Sequence, residues 1–312
     1  MRIFRHYTEL PAAVRGGVVA LGNFDGVHLA HQRILTDALA IARAAGIAGG
    51  VMTFEPHPRS VFNPGQAPFR LTPFRIKARL IEALGLDFLL MQHFDLAFAA
   101  HSAERFIDEV LVAGLGVSHV VAGYDFAFGH RRAGTVDMLA AQAGGRGFKV
   151  TTIGPVRDSA GDITSSSRIR ELLTGARPRE AAQLLGRDWE IEGRVEHGDH
   201  RGRQLGFPTA NIETGDFLRP AAGVYAVRAG IDRGGAVTWL PGVANYGRRP
   251  TFDKDGMLLE VHLFDFAGDL YGRHLRVALV DHLRGEQRFD DVAQLQAQIH
   301  QDCQTARRIL AV

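Results

Sequence analysis

Two histidines three residues apart, His28 and His31, follow the glycine-bounded run Gly22-Asn23-Phe24-Asp25-Gly26. That combination can hold a phosphate, because glycine lets backbone amides approach an oxyanion and imidazoles add N–H donors to it. A second run, Gly202-Arg203-Gln204-Leu205-Gly206-Phe207-Pro208-Thr209-Ala210-Asn211, lies in the C-terminal third. There Thr209 and Asn211 alternate onto one face of an extended chain. Two oxygens side by side suit a magnesium ion that shares its shell with phosphates. Two phosphate-handling runs suggest two reactions, and a small pathway if the product of one is the substrate of the other. Plainer readings stand beside these: a helix cap with a surface histidine for the first run, an ordinary β-turn for the second. Zinc is a further option for the histidines, but no Cys or carboxylate stands at ligand spacing.

The elements around these runs decide between the readings. In the first half, short apolar runs at Val18–Leu21, Gly50–Phe54, Phe88–Gln92, His119–Ala122 and Phe148–Ile153 alternate with helical periods at His31–Ala45, Arg75–Leu84 and Ala103–Val112. Such alternation predicts an α/β domain, a Rossmann-like parallel sheet with helices on both faces. In these sheets ligands bind beyond the carboxyl ends of the strands, and the segment after Leu21 is in that place. The helix that follows turns its N-terminal amides and positive dipole end toward the loop.

After about Gly186 the texture changes. Ile191–Glu196, Gly223–Ala229, Val237–Val243, Leu258–Phe264 and Leu275–Val280 are short β-type runs at hairpin-like spacing, which predict an all-β barrel. Val292, Leu295, Ile299, Cys303, Ala306 and Leu310 recur at three and four residues, so a helix closes the chain. The join is expected near Pro178–Arg187, giving domains 1–186 and 187–312. No internal repeat or low-complexity linker is visible.

Composition sets the outer limits. With 312 residues, 46% of them hydrophobic, the chain can bury two cores. Thirty-six basic against 34 acidic residues leave a net charge of +2, too little to steer the whole chain to nucleic acid or an anionic membrane. Anionic ligands must be held by local groups. A single cysteine, no signal-type N-terminus and no membrane-length apolar run fit a soluble cytoplasmic protein. Small-molecule substrates are therefore expected, with neither nucleic acid nor membrane as a partner.

On Gly22-Asn23-Phe24-Asp25-Gly26-Val27-His28 with His31, the chain resembles nucleotidylyltransferases, whose signature is His-x-Gly-His. Ala30 stands where that pattern has Gly. The resemblance leads one to expect a later Ser/Thr/Arg loop, and Ile163-Thr164-Ser165-Ser166-Ser167-Arg168-Ile169-Arg170 is there, with Ser167 in place of Thr. By itself that stretch reads as an N-cap and a solvated helix turn. Phe54-Glu55-Pro56-His57-Pro58 and Gly123-Tyr124-Asp125-Phe126-Ala127-Phe128-Gly129 with Arg132 resemble the FMN side of bacterial FAD synthetases. This assigns FMN contacts to Phe54, His57, Asp125, Phe126, Phe128 and Arg132.

Residues 202–211 resemble riboflavin kinase, as do Asn245-Tyr246-Gly247-Arg248-Arg249-Pro250-Thr251-Phe252, Leu259-Glu260-Val261-His262 and Leu283-Arg284-Gly285-Glu286. Tyr246 replaces the family's Ile. The whole chain thus resembles bacterial bifunctional riboflavin kinase/FAD synthetases, and that resemblance implies two activities. The barrel would phosphorylate riboflavin from ATP with Mg2+. The first domain would then transfer AMP from ATP to FMN, giving FAD. It further implies that Glu260 activates the flavin hydroxyl, that Gly202, Arg203, Gly206, Phe207, Pro208, Asn245 and Arg284 bind ATP or flavin, and that Thr209 and Asn211 hold the metal. In the first domain His28, His31 and Arg170 would be catalytic, with Gly22, Asn23, Phe24, Asp25, Ser165, Ser166 and Ser167 around the triphosphate. Rival expectations are an adenylyltransferase for another phosphate, a nucleic-acid-binding module, and a flavin sensor with decayed catalysis.

Overall fold

The computed structural model describes residues 1–196, 206–231, 237–248 and 257–312, the side chain of Glu9 excepted. Gly202, Arg203 and the 249–252 part of the Asn245 segment lie outside the described residues. The chain forms two compact units, one of Met1–Ala67 with Thr72–Ser165, the other of Pro68–Leu71 with Ser166–Val312.

The first unit is built on six parallel strands: β1 (Arg2–Phe4), β2 (Val18–Leu21), β3 (Gly49–Glu55), β4 (Phe88–His93), β5 (His119–Gly123) and β8 (Lys149–Ile153). Their order is β1-β4-β3-β2-β5-β8. Alternate side chains feed two cores. Val19, Leu21, Met52, Leu90 and Val120 enter one, while Val18, Ala20, Val51, Leu89 and Val121 enter the other. A sheet buried on both faces explains the unbroken apolar runs in the sequence.

Helix α1 (Leu29–Ala45) covers one face with Ile34, Leu35, Ala38 and Ala42 buried, and ends at Gly46 in the left-handed conformation. Further helices are α2 (Pro58–Phe62), α3 (Phe74–Ala83), α4 (Leu96–Ala99), α5 (Ala103–Arg105) and α6 (Val136–Ala143). The helix expected over Ala103–Val112 begins as α5 and widens into π-helical turns through Leu115. Three strands of this unit were not expected, edge strand β1, too short to show a run, and the two-residue β6 (Ala127–Phe128) and β7 (Gly134–Thr135), nor were helices α2, α4 and α6.

In the second unit, α7 (Ser166–Thr174) and α8 (Pro178–Leu185) precede a closed antiparallel barrel. Its strands are β9 (Trp189–Glu196), β10 (Ala210–Glu213), β11 (Gly223–Ile231), β12 (Thr238–Arg248), β13 (Met257–Leu263) and β14 (His274–Arg284), in the order β10-β13-β12-β11-β14-β9. Inside lie Ile191, Ile212, Tyr225, Tyr246, Leu259, Val261 and Leu279, each at most 2% exposed. Helix α9 (Val292–Leu310) runs over the span its period predicts. Asp291 caps it by accepting a hydrogen bond from the Gln294 N–H at 2.8 Å. Its inner stripe packs Cys303, Ala306 and Leu310 against Ala226, Val243 and Phe264.

Burial pushes the Cys303 thiol up to about 11, so at neutral pH it stays protonated and a weak nucleophile. A disulfide reagent is therefore expected to label native protein slowly at pH 8. Labelling should speed up as pH rises toward 11 and become immediate on unfolding. Fast labelling of native protein at pH 8 would contradict this placement.

Candidate active sites

Strand order reverses between β2 and β5, since β3 and β4 extend the sheet on one side of β2 and β5 and β8 on the other. A crevice beyond the carboxyl ends of the strands forms at such a switch, and the histidine turn leaves β2 at that point. Its backbone is unusual: Phe24 has φ 50°, Val27 φ 41° and Gly26 φ 94°. Left-handed conformations at non-glycine residues, a β-branched valine above all, cost about 1–3 kcal/mol each and persist only where the surroundings hold them.

Thr72 supplies that hold. Its hydroxyl accepts from the Gly26 N–H at 2.8 Å, and its own N–H donates to Asp25 Oδ1 at 2.9 Å. Asp25 is 2% exposed, so its carboxylate braces the turn from within. Below, the Thr53 hydroxyl donates to the Asn23 carbonyl at 3.1 Å and meets the buried ammonium of Lys77 at 3.3 Å.

His28 is the N-cap of α1, its Nδ1 accepting from the His31 N–H at 3.4 Å. The capping reading thus holds, and it also serves chemistry. A neutral ring whose Nδ1 accepts carries its proton on Nε2, the tautomer that donates. His31 stacks on His28 with centroids 3.6 Å apart and meets the Phe24 ring edge-on at 5.3 Å. No acidic residue occupies the first turn of α1 to oppose an anion. Ala30, half-buried, is the second residue of that helix.

Phe54 lies one residue from the end of β3 and His57 follows it, while Asp125 and Phe126 follow β5, so all four lie at the carboxyl ends of the strands flanking β2. Within that group the roles differ. Phe54 and Phe128 are 7% and 6% exposed and belong to the core. Phe126 is half-buried and stacks on Phe128 at 5.8 Å. His57 caps α2 through the Arg59 N–H at 3.1 Å. Asp125 and Arg132 are exposed, and Arg131 and Arg132 hold φ 53° and 60° in succession.

Ser165 closes the first unit, and α7 in the second carries Ser166, Ser167 and Arg170. Ser165 and Ser166 are half-buried and Ser167 exposed. Arg170 donates from Nε to the Phe69 carbonyl at 2.9 Å and lies 5.5 Å from the Phe69 ring centroid.

In the barrel, register brings Asn211 opposite Glu260 across β10 and β13, and Glu260 opposite Asn245 across β13 and β12. Directly opposed residues share a face, so the three stand in one row. Asn211 is 7% exposed, and its Oδ1 has no hydrogen-bond partner among the described residues. A buried oxygen left bare is costly unless a ligand takes it, and an amide oxygen suits a hard divalent cation. Beside it opens a cleft of about 710 Å³, lined in part by Pro208, Thr209, Asn211, Phe266, Asp269 and Tyr271. That volume lies in the range of small-molecule sites, roughly 300–1,000 Å³.

Tyr246, the departure from the family pattern, alternates away from this row into the barrel core, where burial pushes its hydroxyl up to about 12. Gly206 is exposed with φ 86°, and Phe207, 9% exposed, meets the ring edges of His262 and His300. The Arg284 guanidinium pairs with Asp302 of α9 at 2.8 Å, the two side chains 16% and 7% exposed, and gives its Nη1 to the Gly285 carbonyl. Sequence reading missed Asp302, Thr72, Thr53 and Lys77. Only the helical position of Asp302, one residue before Cys303 in the apolar stripe, hinted at burial.

Comparison with known proteins agrees with both halves. The family model described as FAD synthetase matches residues 10–168, and that described as riboflavin kinase matches residues 185–310. The chain is 41% identical over 315 aligned positions to the bifunctional riboflavin kinase/FMN adenylyltransferase of Escherichia coli (strain K12), covering 100% of this chain and 99% of that protein. It is 42% identical to the protein of the same description from Pseudomonas fluorescens, with 100% and 98% covered. A crystal structure described as a macrolide-efflux protein from Streptococcus pneumoniae superposes with a TM-score of 0.85 at 31% identity, covering 98% of each chain. No helix among the described residues is long and apolar enough to cross a membrane.

Proposed function

Since this chain belongs to the bifunctional riboflavin kinase/FMN adenylyltransferase family, we propose that ATP with Mg2+ serves both of its activities and that the residues below carry them. The functional domains are taken as 1–186 and 187–312. The observation that carries the reading is the row Asn211–Glu260–Asn245, whose Asn211 lines a cleft of cofactor size.

In the barrel, Thr209 and Asn211 hold Mg2+, which offsets charge on the transferring phosphate. Glu260 accepts the proton of the riboflavin 5′-hydroxyl as its oxygen attacks the γ-phosphorus. The new O–P bond forms while the bond to the β-phosphate oxygen breaks, leaving FMN and ADP. A primary alcohol is a poor nucleophile, and a carboxylate in reach lets attack and deprotonation coincide. Asn245, Gly206, Phe207 and Pro208, with Gly202 and Arg203, line the substrates. Arg284, committed to Asp302, anchors α9 against β14 and orders that wall rather than reaching for phosphate on its own.

In the first domain, an FMN phosphate oxygen attacks the α-phosphorus of ATP and pyrophosphate leaves. His28 and His31 donate to the α-phosphate oxygens. Gly22, Asn23 and Phe24 bring backbone close, with Asp25 holding them. Ser165, which closes this unit, takes the departing pyrophosphate, a part that the family resemblance also gives to Ser166, Ser167 and Arg170. Phe126, Asp125 and Arg132, with Phe54, His57 and Phe128 behind them, meet the flavin. Catalysis here is positioning and electrostatics. The reading keeps the enzyme in the cytoplasm, with ATP at hand.

Chelating divalent cations is expected to stop riboflavin phosphorylation. Asn211→Ala should raise the Mg2+ concentration for half-maximal phosphorylation about 10-fold, in the range of perturbed metal sites. An unchanged Mg2+ dependence would remove Asn211 from the metal site.

A further inference from the structure

The histidine turn stands on a buried polar chain that neither reaction uses directly. Lys77 and Thr53 are both 0% exposed. The Lys77 ammonium lies 3.2 Å from Glu55 Oε1 and 3.3 Å from Thr53 Oγ1, and Thr53 Oγ1 lies 3.1 Å from the Asn23 carbonyl oxygen. An ammonium only donates, so the Thr53 hydroxyl must accept from Lys77 and send its own proton to Asn23. The direction of this chain is therefore fixed by one charge. Charge-assisted bonds in sequence strengthen one another at low local dielectric.

The consequence falls on the peptide joining Asn23 to Phe24. This peptide is trans, so its N–H points opposite to its carbonyl. With the carbonyl tied down to β3, the Phe24 N–H is turned away from the sheet, and no acceptor among the described residues takes it. The same bond withdraws electron density from the carbonyl and so makes that N–H a stronger donor. Phe24 itself is held at φ 50°, a conformation that needs such an anchor.

We propose that Lys77 is a positioning residue for adenylyl transfer: acting through Thr53, it locks and polarises the Asn23–Phe24 peptide so that its N–H receives the developing charge on the phosphate. The inference rests on the FMN adenylyltransferase reading of this unit.

Thr53→Val tests it best, because it removes the hydroxyl at nearly constant volume and leaves the Lys77–Glu55 ion pair intact. The kcat for conversion of supplied FMN to FAD is expected to fall roughly 10- to 100-fold, with KM for FMN unchanged, the size of effect a misplaced catalytic group produces. Thr53→Ser, which keeps the hydroxyl, should restore kcat to within about twofold. Riboflavin phosphorylation by the same preparations should be unaltered, and an unchanged thermal melting profile shows that the first unit, which carries Thr53, is folded. If Lys77 acts through Thr53, the double variant Thr53→Val/Lys77→Met should be no slower than the slower single variant. Wild-type kcat in Thr53→Val would overturn the proposal, as would single losses that multiply in the double variant. If Lys77→Met does not fold, Thr53→Val and Thr53→Ser decide alone. Wild-type protein that made no FAD from FMN would instead overturn the functional reading beneath it.

Discussion

Glu260→Gln is expected to lower riboflavin phosphorylation by about 10²- to 10⁴-fold, the span of a lost general base, while supplied FMN is still turned into FAD at the wild-type rate. The expectation follows from register. Glu260 is flanked on β13 by Asn211 of one neighbouring strand and Asn245 of the other. Its own neighbours along the strand, Leu259 and Val261, point into the barrel core at 0% and 1% exposure. The half-buried carboxylate is thus held on the face that carries the bare Asn211 oxygen. Glutamine keeps the shape and loses the proton acceptor, so a merely structural role would leave the rate nearly intact. Chromatography of products from riboflavin and from FMN, run separately on one preparation, checks both halves. A variant that phosphorylates riboflavin normally removes Glu260 from the chemistry.

The second large effect lies in the other unit. His31→Ala should slow adenylylation of FMN by about 10²- to 10³-fold, the cost of deleting one donor to developing charge, and leave phosphorylation untouched. His31 is the better residue to test than His28, because His28 also caps α1. Losing a cap costs about 1 kcal/mol, which would mix stability with rate. His31 does pack, on His28 and on the edge of Phe24. The thermal melting profile of the same sample therefore serves as the control for folding of this unit, and its phosphorylation rate as the control for the other. Normal FAD formation in His31→Ala would contradict the role of the histidine pair, and loss of both activities in a folded protein would contradict two separate sites.

Much of this was legible from residue order. Runs such as Val18–Leu21 fill both cores of the first sheet, so their apolar character is unbroken, and the period of Val292–Leu310 marks α9 from end to end. Glycines and histidines after β2 could be recognised because turn, strand and helix start are contiguous in sequence. What could not be read comes from distant partners. Thr72 braces Asp25 from 47 positions away, Lys77 reaches Thr53 from 24, and Asp302 holds Arg284 from α9. None of these pairs leaves a periodicity or a spacing, since each is set by how elements pack. Edge strand β1 escaped for another reason: its pattern is exposed, exposed, half-buried, with no apolar run to mark it.

Tyr246 shows how structure sorts departures from a family pattern. In sequence it interrupts the Asn245 segment. In the barrel its side chain alternates to the interior, away from the row of Asn245 and Glu260, so the substitution is a matter of core packing. Ala30 is different in kind, since it stands in the first turn of α1 between the two histidines. If the first turn of α1 receives the phosphate as proposed, the Ala30 methyl is expected to act on the rate of adenylyl transfer, which the kcat of Ala30→Gly on supplied FMN checks.

The most direct test of the central claim is a time course of the full-length protein with riboflavin, ATP and Mg2+, its flavins separated by chromatography. FMN should appear first and FAD follow, with ADP released in the first step and pyrophosphate in the second. Riboflavin recovered unchanged under these conditions, with supplied FMN equally untouched, would contradict the assignment of both sites.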